Sequence, residues 1–257
     1  MASLAAGKLC WVELAAAQAG AARDFYCALF GWTPHEEAVH LSDTRKLGYT
    51  LWQRAGEEVA GMYELLAEQR ANGMQPQWLP YVSVDDIEAA SALGRTLSGA
   101  VLAQPLDVME AGRMAILRDP AGARIGLWEA RALQGFSPSA LPGTPCSLEL
   151  ATHELTATRR FYQELFGWRS DGAGADASGG VLVKAGRPVA TLRPRRPSDA
   201  EGAGWTIMFA VADCEEACER IAALGGRVVS SAGAGAFRGP ALAEDPQGAA
   251  FGVLAAR

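Results

Sequence analysis

Histidine is scarce in this sequence: His35, His40 and His153 are the only three in 257 residues. Divalent metals such as zinc take several imidazole, thiolate or carboxylate donors converging on one point, so two imidazole-rich centres are excluded by that count alone. Cysteine is also sparse. Cys10, Cys27, Cys146, Cys214 and Cys218 are too scattered for a disulfide framework. Cys214 and Cys218 lie four apart on a predicted helix, where small buried residues are the plainer reading and a metal or redox pair the sharper one. Long apolar runs are missing, and no stretch reaches the roughly 18 residues a membrane helix needs. Runs of positive charge are missing too. Arg193, Arg195 and Arg196 form a short cluster broken by Pro194, and the formal net charge is -6. The chain has no general attraction to nucleic acid or to an anionic membrane. The opening MASLAAGKLCWVELAAA lacks a basic start followed by an apolar core, so it reads as the approach to a strand and a cytoplasmic location is expected. The glycine runs at 172–174 and 233–235 are not set between a strand and a helix as a phosphate-binding loop would be.

What the sequence does contain is a repeat. Residues 25–32 read FYCALFGW and residues 161–168 read FYQELFGW, 136 positions on. Each follows a short apolar segment with a glutamate at the matching place, Glu13 in LCWVEL and Glu149 in PCSLEL. Trp78 and Trp205 open a second pair of matching strands at an offset of 127, and Asp119-Pro120-Ala121-Gly122 matches Asp245-Pro246-Gln247-Gly248 at 126. Ordered matches at a slowly drifting offset mark a tandem duplication with shorter loops in the second copy.

Within the first copy, hydrophobic periodicity predicts a strand at 9–14, a helix at about 19–30 closed by Gly31, and strands at about 46–53 and 58–63. The pattern then restarts with a strand at 79–84, a helix at 86–97, and strands near 101–104, 113–118 and 124–129. His35 and His40 fall in what reads as a loop after the first GW. Each copy is therefore βαβββ twice. The first spans 1–130, with modules 7–63 and 78–130; the second spans 145–257, with modules 145–195 and 205–257. The Pro-, Ser- and Gly-containing segment 131–144 reads as a surface linker.

A strand followed by FYxxLFGW, a strand–Asp–helix ending near Ser98-Gly99 or Gly225-Gly226, and a DPxG turn before the last strand together resemble the vicinal oxygen chelate superfamily. That superfamily includes glyoxalase I, bleomycin- and fosfomycin-resistance proteins and extradiol dioxygenases, and the resemblance covers nearly all of both copies. It implies an α+β fold in which four βαβββ modules form two tandem glyoxalase-like domains with curved, mostly antiparallel, cup-shaped sheets. It also implies four metal-ligand positions per copy. These fall on Trp11, about Gly61, about Leu79 and Gly126 in the first copy, and on Ser147, about Thr191, about Thr206 and Gly252 in the second. None is His, Glu or Gln, so no metal and no other cofactor is expected.

Strand alternation puts Trp11 and Glu13 on the face that the resemblance makes the inside of the first cup, and Ser147 and Glu149 on that of the second. Glu13 and Glu149 are candidate general acids or bases for an enolisable or hydroxylated substrate. The alternative is that they pair with an arginine or backbone amides and hold the sheet. His153 is a third, tentative catalytic candidate as a proton shuttle. Trp11, Tyr49, Trp52, Tyr81, Trp128, Ser147 and Met208 are the candidate ligand contacts, with Phe251 near Met208, and such a lining suits a flat apolar molecule. Trp78 and Trp205 read as structural.

The function expected is metal-independent binding of an apolar or aromatic small metabolite, in secondary metabolism or resistance. A metal-free cyclase, isomerase or lyase using Glu13 or Glu149 is the second reading, and a metal-dependent lyase or dioxygenase the last. No nucleic-acid or membrane partner is expected; a homodimer is left open.

Overall fold

The computed structural model describes residues 6–42, 45–171, 179–196, 204–230 and 240–256, and for 38–42, 45 and 46 the backbone alone. The glycine runs at 172–174 and 233–235 and the side chain of His40 lie outside the described residues.

The first copy runs β1 (Leu9–Ala16), α1 (Ala19–Phe30), β2 (Thr33–Ser42), β3 (Arg45–Arg54), β4 (Glu57–Glu64), α2 (Ala67–Ala71), β5 (Gln77–Ser83), α3 (Ile87–Thr96), β6 (Ala100–Val108), β7 (Gly112–Arg118) and β8 (Arg124–Ala130). The second runs β9 (Pro145–Thr152), α4 (Leu155–Phe166), β10 (Arg169–Ser170), β11 (Gly180–Lys184), β12 (Arg187–Pro194), β13 (Gly204–Val211), α5 (Cys214–Ala223), β14 (Arg227–Ser230), β15 (Ala241–Glu244) and β16 (Ala250–Ala255). The strands form two eight-stranded sheets of matching order, β2-β3-β4-β1-β5-β8-β7-β6 and β10-β11-β12-β9-β13-β16-β15-β14. Both are mixed. β1·β4, β5·β8, β9·β12 and β13·β16 run parallel, while the hairpin pairs run antiparallel. This is the α+β architecture of four βαβββ modules that the repeat implies. No helix is long and apolar enough to cross a membrane among the described residues.

The loop expected after the first GW is instead a ten-residue strand. Its sequence TPHEEAVHLS lacks the apolar alternation of a half-buried strand. The antiparallel register with β3 pairs it along its length, from Thr33↔Gln53 to His40↔Lys46, so main-chain hydrogen bonds make it a strand. α1 follows its pattern: Ala22, Phe25, Tyr26, Leu29 and Phe30 are buried, and Gly31 ends the helix at φ 68, donating its N–H to the Cys27 carbonyl. α4 ends the same way at Gly167, φ 71. Asp86 and Asp213 cap α3 and α5 with their side chains.

The chain divides into two compact units, and each combines a module of one copy with a module of the other. One comprises Met1–Cys10, Pro80–Ser137 and Ser147–Trp205; the second comprises Trp11–Leu79, Pro138–Cys146 and Thr206–Arg257. The repeated motif residues hold these combinations together. In the second unit the Tyr26 hydroxyl donates to Asp245 Oδ2 at 3.1 Å and accepts the Trp78 indole N–H at 2.9 Å. In the first unit Tyr162 donates to Asp119 Oδ2 at 3.1 Å and accepts from Trp205 at 3.1 Å. The other oxygen of each aspartate closes its own DPxG turn, taking the N–H groups of Ala121 and Ala123, or of Gln247 and Ala249. The motif tryptophans add a second matched pair: Trp32 donates to the Gly143 carbonyl at 2.6 Å, and Trp168 to the Gly7 carbonyl at 2.7 Å. Around Tyr26 the rings of Phe30, Trp32, Trp52, Trp78 and Phe251 pack edge-on or stacked, as Phe161, Phe166, Trp168 and Trp205 do around Tyr162.

Tyr26→Phe and Tyr162→Phe each leave a buried carboxylate oxygen and an indole N–H without their shared partner. Urea unfolding is expected to show a loss of roughly 1–3 kcal/mol for each. Burial raises both Asp119 and Asp245 above the usual carboxyl range, outweighing the N–H and O–H bonds that lower them. A raised native pKa means that the contribution to stability is complete below the unfolded value of about 3.9 and is lost as pH rises through the native value. The deficit of Asp245→Asn against the parent protein, measured by unfolding across pH, is therefore expected to be widest below about pH 4 and to narrow as pH climbs.

Candidate functional site

β1 buries Val12 and Leu14 completely, and alternation turns Trp11 and Glu13 to the opposite face. Glu13 stands beside Gly61 in the parallel register of β1 and β4. On β3, Leu51 lies beside Gly61 and Tyr49 beside Tyr63. Tyr49 reaches across this row, and its hydroxyl donates to Glu13 Oε2 at 2.9 Å while accepting the Trp11 indole N–H at 3.2 Å. Gly61 makes the reach possible, because a Cβ there would overlap the Tyr49 hydroxyl. Burial, reinforced by the Glu13 charge, holds the Tyr49 phenol well above its ordinary pKa, so it stays a neutral donor. His35, expected in a loop, lies on β2 beside Leu51 in the same row of strands, and its ring is exposed. An open cleft of about 510 Å³ touches Tyr49, but its Thr50 and Met62 lie one residue from Tyr49 and Gly61 and so face away from Glu13.

The matching face of the second copy has different chemistry. Glu149 stands beside Thr191 in the β9·β12 register, and its Oε1 accepts from Arg193 Nε at 2.7 Å with both side chains mostly buried. This is the arginine pairing that holds a sheet. In register terms Arg193 takes the place of Tyr63, since it sits beside Ala151 as Tyr63 sits beside Ala15. A carboxylate–guanidinium hydrogen bond is charge-assisted and occupies the carboxylate oxygen that makes it. Ser147 is half-buried on this strand. His153, exposed at the strand's end, has its Nε2 3.0 Å from Arg195 Nη1.

Beside two more of the positions implied to carry metal ligands, a cross-strand neighbour fills the space. Tyr81 lies beside Gly126, and a Cβ at Gly126 would overlap its ring. Met208 lies beside Gly252, and a Cβ there would overlap its sulfur. Trp11, Leu79, Ser147, Thr191 and Thr206 complete the set, and none offers an imidazole or carboxylate. These residues do not fit a divalent ion. Among the described residues, only Asp86, Glu88 and Glu129 gather as three possible ligands. Each already serves the start of α3: Asp86 accepts from the Ala89 N–H, Glu129 from the Ile87 N–H, and Glu88 from Arg113.

Not every candidate contact shares the Glu13 face. Trp52 is three residues from Tyr49 on one strand and therefore points the other way; it is fully buried against Tyr26, Trp32 and Trp78. Phe251, one residue from Gly252, likewise packs on Phe25, Tyr26 and Phe209. Both belong to the core rather than to a ligand surface. Trp128 packs over Gly112 and donates its indole N–H to the Leu133 carbonyl at 2.9 Å. Cys214 and Cys218 are half-buried on α5 and are not joined in a disulfide, and burial raises Cys218. The sequence reading missed Tyr63, the β4 residue in register with Tyr49, which accepts a hydrogen bond from Gln69. Its alternation with Gly61 was the available signal.

Residues 8–127 match the Glyoxalase/Bleomycin resistance protein/Dioxygenase superfamily, and residues 147–254 match a Glyoxalase-like domain. The chain is 31% identical to the anthracycline biosynthesis protein DnrV of Streptomyces peucetius, an alignment covering 100% of this chain and 96% of that protein. Among solved structures, a 4-hydroxymandelate synthase mutant from Streptomyces coelicolor superposes with a TM-score of 0.66 at 15% identity, over 98% of this chain and 93% of that one. The Mn(II)-bound glyoxalase from Novosphingobium aromaticivorans superposes with a TM-score of 0.64 at 12% identity, over 97% and 82% of the two chains. At these identities the two structures bear on fold alone, whereas the sequence matches span both copies. The chain belongs to the glyoxalase/bleomycin resistance protein/dioxygenase superfamily.

Proposed function

We propose that this protein binds a polycyclic aromatic metabolite of secondary metabolism, and that it does so without the divalent cation of its metal-dependent relatives. The observation that carries the metal-free reading is the paired filling of the ligand positions. Glycine stands at Gly61, Gly126 and Gly252, and Tyr49, Tyr81 and Met208 occupy the space beside them. Loss of a donor removes the chemistry of coordination; a bulky neighbour removes the room as well. The ligand class is supported by similarity to an anthracycline biosynthesis protein along the whole chain. It is supported also by Trp11 and Tyr49, which put an indole and a phenol beside Glu13, with Tyr63 next to Tyr49 in the register. Aromatic side chains bind flat ring systems through apolar contact and offset stacking while their polar tips hydrogen-bond ring substituents.

Elemental analysis of the purified protein is expected to find no stoichiometric transition metal. Titration with 1,8-dihydroxyanthraquinone is expected to quench tryptophan emission saturably, in the presence of EDTA as in its absence. A stoichiometric metal whose removal abolishes that binding would overturn the metal-free reading, and absence of saturable quenching would overturn the ligand class.

The filled positions are testable by stability as well. Gly126→Ala pushes a methyl group into the Tyr81 ring and is expected to cost about 1–3 kcal/mol. Adding Tyr81→Ala is expected to recover part of that loss, a coupling read from a double-mutant cycle of urea unfolding. Strict additivity would show that the two residues do not compete for space.

A further inference from the structure

We infer that Glu13 and Tyr49 form a catalytic pair for enolisation of an aromatic ketone, Glu13 acting as the base and the Tyr49 hydroxyl as the electrophile. This rests on the binding reading above and adds a reaction to it.

The inference starts from three contacts on one face. The Glu13 carboxylate accepts from the Tyr49 hydroxyl at 2.9 Å. The Trp11 indole donates to the same hydroxyl at 3.2 Å and fixes its position. Gly61 lies beside Glu13 in the register and leaves the space that the hydroxyl fills. A base and a neutral donor are thus held within one hydrogen bond of each other, close enough to address two adjacent atoms of one substrate. The phenol remains protonated, because burial and the neighbouring carboxylate both disfavour its anion. A hydroxyl hydrogen turns freely about its C–O bond, so Tyr49 can redirect its O–H from Glu13 to a substrate oxygen.

The step balances without an oxidant or reductant. A Glu13 oxygen takes the proton from the carbon next to the ketone. The C–H electron pair forms the new C=C bond, and the carbonyl π pair moves onto oxygen, where the Tyr49 O–H stabilises the developing charge. Return of the proton from Glu13 to another carbon of the conjugated system completes an isomerisation; replacement of that proton by one from solvent, followed by delivery to the same carbon, completes an exchange. Glu149 lacks this pairing, because Arg193 bonds the carboxylate. The enolisation chemistry therefore belongs to the first copy.

The probe is 2-tetralone in D2O, with incorporation of deuterium next to the carbonyl followed by mass spectrometry against a buffer blank. The parent protein is expected to accelerate exchange. Glu13→Gln is expected to lose roughly 10²–10⁴-fold of the acceleration, and Tyr49→Phe roughly a hundredfold. Gly61→Ala, which displaces the hydroxyl without removing it, is expected to fall with Tyr49→Phe. Thermal unfolding of the near-isosteric Glu13→Gln and Tyr49→Phe separates loss of chemistry from loss of fold. No acceleration by the parent protein overturns the inference, and if 1,8-dihydroxyanthraquinone still binds, the binding reading stands. Full exchange in Tyr49→Phe overturns the role of the phenol. Exchange that disappears with EDTA overturns the metal-free reading instead.

Discussion

Two tyrosine hydroxyls, each donating to an aspartate contributed by the other copy, are the constraint on which the rest of the structure depends. Tyr26 with Asp245 and Tyr162 with Asp119 are buried beneath shells of aromatic rings. A buried carboxyl is costly unless its oxygens are satisfied, and here every oxygen has a partner. One oxygen closes the DPxG turn and the other receives the tyrosine. The turn, the helix and the tryptophan-bearing strand are fixed by one atom-to-atom arrangement that occurs twice. This explains why FYxxLFGW and DPxG recur together in the sequence although they are far apart within each copy.

With the helix faces committed to this core, the opposite faces of the strands are left to differ. The register sets what they can do. Gly61 opposite Leu51 and beside Glu13 lets Tyr49 lean over and form a chain of Trp11, Tyr49 and Glu13. In the second copy Arg193 stands where Tyr63 stands in the first, and its charge-assisted bond binds Glu149. One scaffold thus presents a carboxylate with a phenol in one half and a carboxylate with a guanidinium in the other, through differences at register-equivalent positions such as Gly61 and Thr191 or Tyr63 and Arg193.

Much of the fold was legible because its signals are local. The apolar stripe Ala22, Phe25, Tyr26 and Leu29, with glycine after it, specifies α1 to the residue. β2 was not legible, since TPHEEAVHLS becomes a strand only through pairing with β3. Alternation placed Glu13 and Trp11 together correctly on one face. The same parity, applied to Tyr49 and Trp52 or to Phe251 and Gly252, separates each pair onto opposite faces and sends Trp52 and Phe251 into the core. The partners of the two glutamates lay beyond local reading. Arg193 is 44 residues from Glu149 and Tyr49 is 36 from Glu13, and which strand lies beside which is decided by packing of the whole module rather than by either segment.

The exchanged tyrosine–aspartate bonds have a consequence for how such a chain comes to exist. A single ancestral copy could satisfy its tyrosine and its DPxG aspartate in this way only by associating with a second identical subunit, because each bond needs one residue from either partner. Joining two copies through the 131–144 segment keeps both bonds and removes the requirement for identity. Substitutions at Tyr49, Gly61 or Arg193 then alter one half without being mirrored in the other, so covalent fusion is what permits an asymmetric pair of surfaces on a symmetric frame.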